Sequence, residues 1–181
     1  SSAASDVYKR QDGSSKMEAL LGEIARARHH IHLQYYIFCD DETGRRLRDA
    51  LVEKARQGVH VRILYDDVGC SGVRKSFFEG MRREGIEVHA FLHVKFPRFT
   101  SKVNYRNHRK IVVIDGRVGF FGGMNIADRY VEGTKWGTWR DTHLRIEGPA
   151  VRGLQLLFAV DWSYECKEVL SDSRFFPPVA D

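Results

Sequence analysis

The chain is poor in several things, and each scarcity removes a class of answer. Its three cysteines, Cys39, Cys70 and Cys166, stand far apart and fit no zinc-ligand spacing, so neither a disulfide scaffold nor a structural zinc site is expected, and reduced, packed thiols are. No run approaches the 18 or more uninterrupted apolar residues of a membrane-spanning helix, and the polar start SSAASDVYKRQDGSS has no apolar centre for a secretory signal. There is no internal repeat and no low-complexity linker. Acidic residues are missing altogether from Val88 to Ile114, where Lys95, Arg98, Lys102, Arg106, Arg109 and Lys110 all fall, so the modest net charge of +5 conceals one strongly basic stretch.

What is present suits a single domain, soluble as given: 181 residues, 43% hydrophobic and 29% charged. Residues 1–13 read as a disordered or non-native tail, 14–168 as the folded unit, and 169–181 as a tail or linker. Ser15 and Glu18 have capping-box spacing, and Met17, Leu20, Leu21, Ile24 and Ala27 recur at helical intervals behind them. HIHLQYYIF then reads as a strand, DDETG opens a helix ended by Gly58, VHVRILYDD is a second strand, residues 73–84 a helix, and IEVHAF a third strand. That alternation predicts an α/β fold with a mixed, mostly parallel sheet flanked by helices. RKIVVID and VGFFGG, joined by Asp115-Gly116-Arg117, look like an antiparallel hairpin; THLRIEG is another strand, and Pro149 opens a last helix.

The chemistry concentrates at the hairpin, in NYRNHRKIVVIDGRVGFFGGMN. Side chains two apart on an extended strand share a face at roughly 6 to 7 Å, so His108 and Lys110 could grip one phosphate, the imidazole acting as nucleophile or acid/base and the ammonium offsetting oxygen charge. Asp115 has the opposite parity and lies at the turn, which points to a structural role. Gly122 and Gly123 let backbone amides approach an anion, and Asn125, able to start a helix, could donate to a phosphoryl oxygen without adding charge. Asp66-Asp67 reads as helix capping rather than a metal site, and the tyrosines of QYYIF as core.

His108, Lys110, Asp115, Gly122, Gly123 and Asn125 match the HxKxxxxDxxxxxxGGxN signature of the phospholipase D superfamily, the HKD motif. NHRKIVVIDG followed by WRDTHLRIEGPAV resembles the bacterial cardiolipin synthases in particular, most like their N-terminal catalytic half. The resemblance implies metal-free, cofactor-free phosphatidyl transfer from phosphatidylglycerol through a phosphohistidine. His108 would be nucleophile or acid/base partner, Lys110, Gly123 and Asn125 would bind the phosphate, and Asp141 would orient the imidazole. It also implies a peripheral enzyme of the bacterial cytoplasmic membrane, on the cytoplasmic side.

Those relatives carry two such motifs and this sequence holds one, since His93-Val94-Lys95 lacks an Asp five residues after the lysine. The second half is therefore expected in the same full-length chain or from a two-fold dimer mate, and the isolated chain is expected to be weakly active or inactive. The alternatives are a homodimeric single-motif phosphodiesterase or nuclease, and a non-catalytic lipid- or nucleic-acid-binding module. The basic stretch, with Phe96, Phe99 and Tyr105 among its cations, would suit an anionic membrane surface or a nucleic-acid backbone.

Overall fold

The computed structural model describes residues 4–91 and 108–178. The expectation for the basic stretch between them lies outside the described residues. In chain order the elements are β1 (Asp6–Arg10), α1 (Gly13–Arg26), β2 (His30–Tyr35), α2 (Glu42–Arg56), β3 (His60–Asp66), α3 (Lys75–Arg83), β4 (Glu87–Phe91), β5 (Ile111–Ile114), β6 (Val118–Gly122), α4 (Asp128–Val131), β7 (His143–Glu147) and α5 (Val151–Cys166), followed by a 3-10 turn at Ser173–Phe175. The strands form a seven-stranded sheet in the order β1-β7-β6-β5-β2-β3-β4.

The sheet is mixed, but its balance differs from the expected one. Among the described residues β2–β3 and β3–β4 are parallel, whereas β1–β7, β7–β6, β6–β5 and β5–β2 are antiparallel. The βα alternation sets only the first part of the sheet; the hairpin then inserts β5 against β2, and each later strand adds antiparallel to its neighbour. A second difference is β1, in the segment read as a tail. It carries no apolar pattern because four of its five residues are exposed, and pairing with β7 along the sheet edge is what orders it. The C-terminal segment also packs, with Leu170 and Phe175 buried against Phe158 and Trp162.

Helix α1 starts at Gly13, because Asp12 rather than Ser15 caps it: its carboxylate accepts the Ser15 N–H at 2.7 Å. Helices α1, α2 and α3 cover one face of the sheet, burying Leu20, Ile24, Leu47, Phe78 and Met81 against Ile31, Leu33, Ile63, Val112 and Phe120. The other face is covered by α5, with Val151 and Leu154 on Ile111, Val113 and Ile146. β2 shows why both layers are needed. All six of its residues are buried, Ile31, Leu33 and Tyr35 towards the first core, while His30, His32 and Gln34 alternate onto the α5 side and are met there by Gln155 and Asp161.

Candidate active site

One end of the sheet gathers the motif. The end of β2, the approach to β5, the end of β6 and the approach to β7 all lie there, because β5 and β7 run antiparallel to their neighbours. His108 and Lys110 precede β5 on the face of Val112 and Ile114, while Arg109 between them points the other way and pairs with Asp161 at 2.6 Å.

Tyr36, one residue past β2, is the platform on which the pair meets. The His108 ring stacks on it with centroids 4.0 Å apart and planes 15° from parallel, and Lys110 Nζ lies 5.8 Å from the same ring. Lys110 also donates to the His108 carbonyl at 2.5 Å, which ties the two residues together. His108 is exposed and Lys110 half-buried. Burial lowers the Lys110 ammonium from its ordinary value, and the charge of the nearby Asp141 carboxylate acts in the opposite sense.

Asp141 lies just before β7. Its carboxylate rests on the backbone of Gly123, where a Cβ would come within 2.2 Å of it, and it accepts the Thr142 N–H at 2.6 Å. Among the described residues it makes no hydrogen bond to His108. Gly122 is equally confined: it has φ of +156° and faces His143 across the β6–β7 pair, and a Cβ there would stand 2.4 Å from the Thr142 oxygen.

Asn125 is buried, and much of its hydrogen bonding is internal. Its Oδ1 accepts the Ile37 N–H at 3.0 Å and its Nδ2 donates to the Tyr130 hydroxyl at 2.8 Å, which uses one of two amide hydrogens. The helix expected to start at Asn125 begins at Asp128 and is one turn long. Asp115 sits at the opposite end of β5 with φ of +53°; its carboxylate accepts the backbone N–H groups of Arg28 and His29, both at 2.8 Å, and of His30 at 3.0 Å.

Two residues that sequence reasoning passed over, Lys16 and His143, and one it read as core, Tyr35, join the site from below, each at most 1% exposed. A signal for Lys16 existed. It stands four residues before Leu20 on the apolar stripe of α1, and a cation in the first turn opposes the helix dipole, a position that a solvated lysine does not favour.

Residues 20–144 match the family described as "Cardiolipin synthase, PLD-like domain". The chain is 46% identical to a cardiolipin synthase of Alkalihalophilus pseudofirmus over 98% of its own length and 35% of that protein, and 48% identical to the major cardiolipin synthase ClsA of Bacillus subtilis over 84% and 32%. It thus spans about a third of these curated relatives. Its fold is like that of Nuc from Salmonella typhimurium, a phospholipase D family member, with a TM-score of 0.67 at 17% identity over 90% of this chain and 97% of that one.

Proposed function

The chain belongs to the phospholipase D-like domain family of cardiolipin synthases, and from that premise we propose that it is one catalytic half of a phosphatidyltransferase that converts two phosphatidylglycerol molecules into cardiolipin and glycerol. The observation that carries this reading is the meeting of His108 and Lys110 on Tyr36, beside Asp141 and the Gly122-Gly123 backbone. An exposed imidazole, an ammonium beside a carboxylate and a backbone stripped of side chains are the parts that phosphoryl transfer without a metal requires.

In the first step an imidazole nitrogen of His108 attacks phosphorus, a phosphorus–nitrogen bond forms, and the bond to the glycerol headgroup breaks. A second motif histidine, from the other half, supplies the proton to the departing glycerol oxygen. In the second step it removes a proton from the headgroup hydroxyl of another phosphatidylglycerol, which attacks the phosphohistidine and frees His108. Lys110 offsets the charge on the phosphoryl oxygens, with the Gly123 backbone and Asn125 as neutral donors. Asp141 sits close enough to influence Lys110, and in this reading its task is to hold the imidazole as a triad carboxylate does. The substrate brings the enzyme to an anionic lipid surface, for which the basic stretch preceding His108 is suited.

The test is glycerol release from phosphatidylglycerol vesicles by a two-motif protein in which this half is joined to a second HxK half. His108→Ala is expected to lower the rate by about 10³-fold or more, in line with loss of a covalent nucleophile, with the melting temperature unchanged because His108 is exposed. Unaltered turnover would remove His108 from the mechanism. Cleavage of nucleic acid with no action on phosphatidylglycerol would move the chain to the phosphodiesterase reading.

A further inference from the structure

Between the His108–Lys110 surface and the first turn of α1 lies a group of polar side chains that the reaction above leaves without a task. Lys16 is 1% exposed, and its amine meets the Met17 sulfur at 3.9 Å and the Tyr35 ring at 4.9 Å from the centroid. Neither is a carboxylate or carbonyl. Tyr35 is 1% exposed and its hydroxyl has no hydrogen-bond partner among the described residues; His143 is fully buried, and both of its ring nitrogens lack one too. The cluster borders the phosphate site: the His143 imidazole is disfavoured as a cation by burial first, and then by the charges of both Lys16 and Lys110. The start of α1 is bound to the same place, since the Gln11 carbonyl accepts the Asp141 N–H at 3.4 Å.

The charged groups facing Lys16 can be named element by element. From β7 comes His143, from β2 Tyr35, and from ahead of β5 Lys110 with Asp141 beside it. On α1 itself Glu23 is engaged by Arg26 and Arg145, and from α4 the Tyr130 hydroxyl is taken by Asn125. Among the described residues Asp141 lies at Lys110 and no carboxylate bonds or pairs with the Lys16 amine; a buried ammonium is costly without a partner, so burial favours the neutral amine until an anion is bound. Burial accordingly pushes Lys16 down to about 7. An anion changes this. One negative charge within about 10 Å, at an effective dielectric near 20, raises the proton affinity of an amine by a little over one pH unit.

We propose that Lys16, enclosed by Tyr35 and His143, is the proton acceptor of the phosphate site: binding of a phosphoryl anion at His108 and Lys110 draws one proton from solvent onto the Lys16 amine. The ammonium so formed rests against the Tyr35 ring and adds a second cation beneath Lys110 while the anion is bound. By linkage the same coupling makes anion affinity fall as pH rises above neutrality. This inference rests on the reading of the motif as a phosphate site.

The experiment uses the chain itself and tungstate, a dianion that does not titrate near neutral pH. Calorimetry at pH 7.5 in two buffers of different ionisation enthalpy counts protons taken up on binding; the quantity read is the excess of the native chain over Lys16→Met, which cancels uptake common to both. An excess of about half a proton is expected. Equal uptake in the two proteins overturns the proposal, whereas failure of the native chain to bind tungstate overturns the phosphate-site reading and the proposal with it. A second measurement needs no variant: the ¹³Cε titration midpoint of Lys16 should rise by about one pH unit with saturating tungstate, and an unmoved midpoint overturns the proposal.

Discussion

The two ends of the central strands β2 and β5 are both rich in histidine and charge, yet they treat those groups in opposite ways. At the end away from the motif, His29 Nδ1 meets His30 Nδ1 at 2.7 Å, His30 Nε2 meets Gln155 Oε1 at 3.1 Å, and Gln155 Nε2 meets His32 Nδ1 at 2.8 Å. Phe175 closes over all three rings, and Asp115 gathers three backbone N–H groups beside them. Only His29 Nε2 in that network is buried without a partner. At the motif end His108 is exposed, and Tyr35 and His143 hold polar atoms with no partner among the described residues. The lesson is that histidine content does not mark a site. What marks it is polar capacity left unspent, which a structure tolerates where a ligand will use it.

The largest effect that would break this comparison comes from acid. Burial holds His30 down to about 4 and pushes His32 well below its ordinary value. A base whose proton affinity is reduced by folding favours the folded state fully above its ordinary value of 6.5, and that contribution is lost as pH falls from 6.5 towards about 4, because the unfolded chain binds the proton first. At about 1.4 kcal/mol per pH unit the separation is on the order of 3 kcal/mol. Thermal melts between pH 7 and pH 4 should show a steep loss of stability, partly flattened in His30→Gln. An equally steep loss in that variant would place the acid sensitivity elsewhere.

Asp115 gives the next effect. It belongs to the signature but stands five residues from Lys110, about 16 Å along a strand, so its contribution should be to stability. Asp115→Asn keeps a residue that tolerates the left-handed backbone yet removes the charge and replaces the oxygen that accepts from Arg28 with an amide donor. Denaturant unfolding should show a loss of about 2 kcal/mol, with turnover in the two-motif protein within tenfold of normal. A turnover loss approaching that of His108→Ala would return Asp115 to the chemistry.

How much of this was legible follows from how locally each feature is encoded. The hairpin, the shared face of His108 and Lys110 and the opposite placing of Asp115 follow from a two-residue period and a turn signal, both readable in a short window. β1 was not legible because an edge strand ordered by backbone pairing leaves no apolar pattern. The antiparallel majority was missed because strand order is a property of the whole sheet. His143 was hidden for a related reason: it looks like a solvated polar residue until β7 is set against the end of β2, and the Lys16 signal in the first turn of α1 gains its meaning only from the same packing. The internal use of Asn125 likewise depends on Ile37 and Tyr130, which flank it from other segments.

The smallest effect sharpens the comparison most, because it lies within the motif itself. Arg109 stands between His108 and Lys110 but on the α5 face, where its guanidinium meets Asp161 at 2.6 Å and Gln34 Nε2 donates to the same oxygen at 2.9 Å. By its surroundings it belongs with the bonded polar groups rather than with the unspent ones. Arg109→Met should therefore cost about 1 kcal/mol of stability, since the arginine is partly solvated and Gln34 still serves the carboxylate that remains. Turnover in the two-motif protein should stay within about threefold of normal. If Arg109→Met instead abolished turnover while leaving the melting temperature untouched, the division of the strand into a chemical face and a structural face would fail at its narrowest point, one residue from His108.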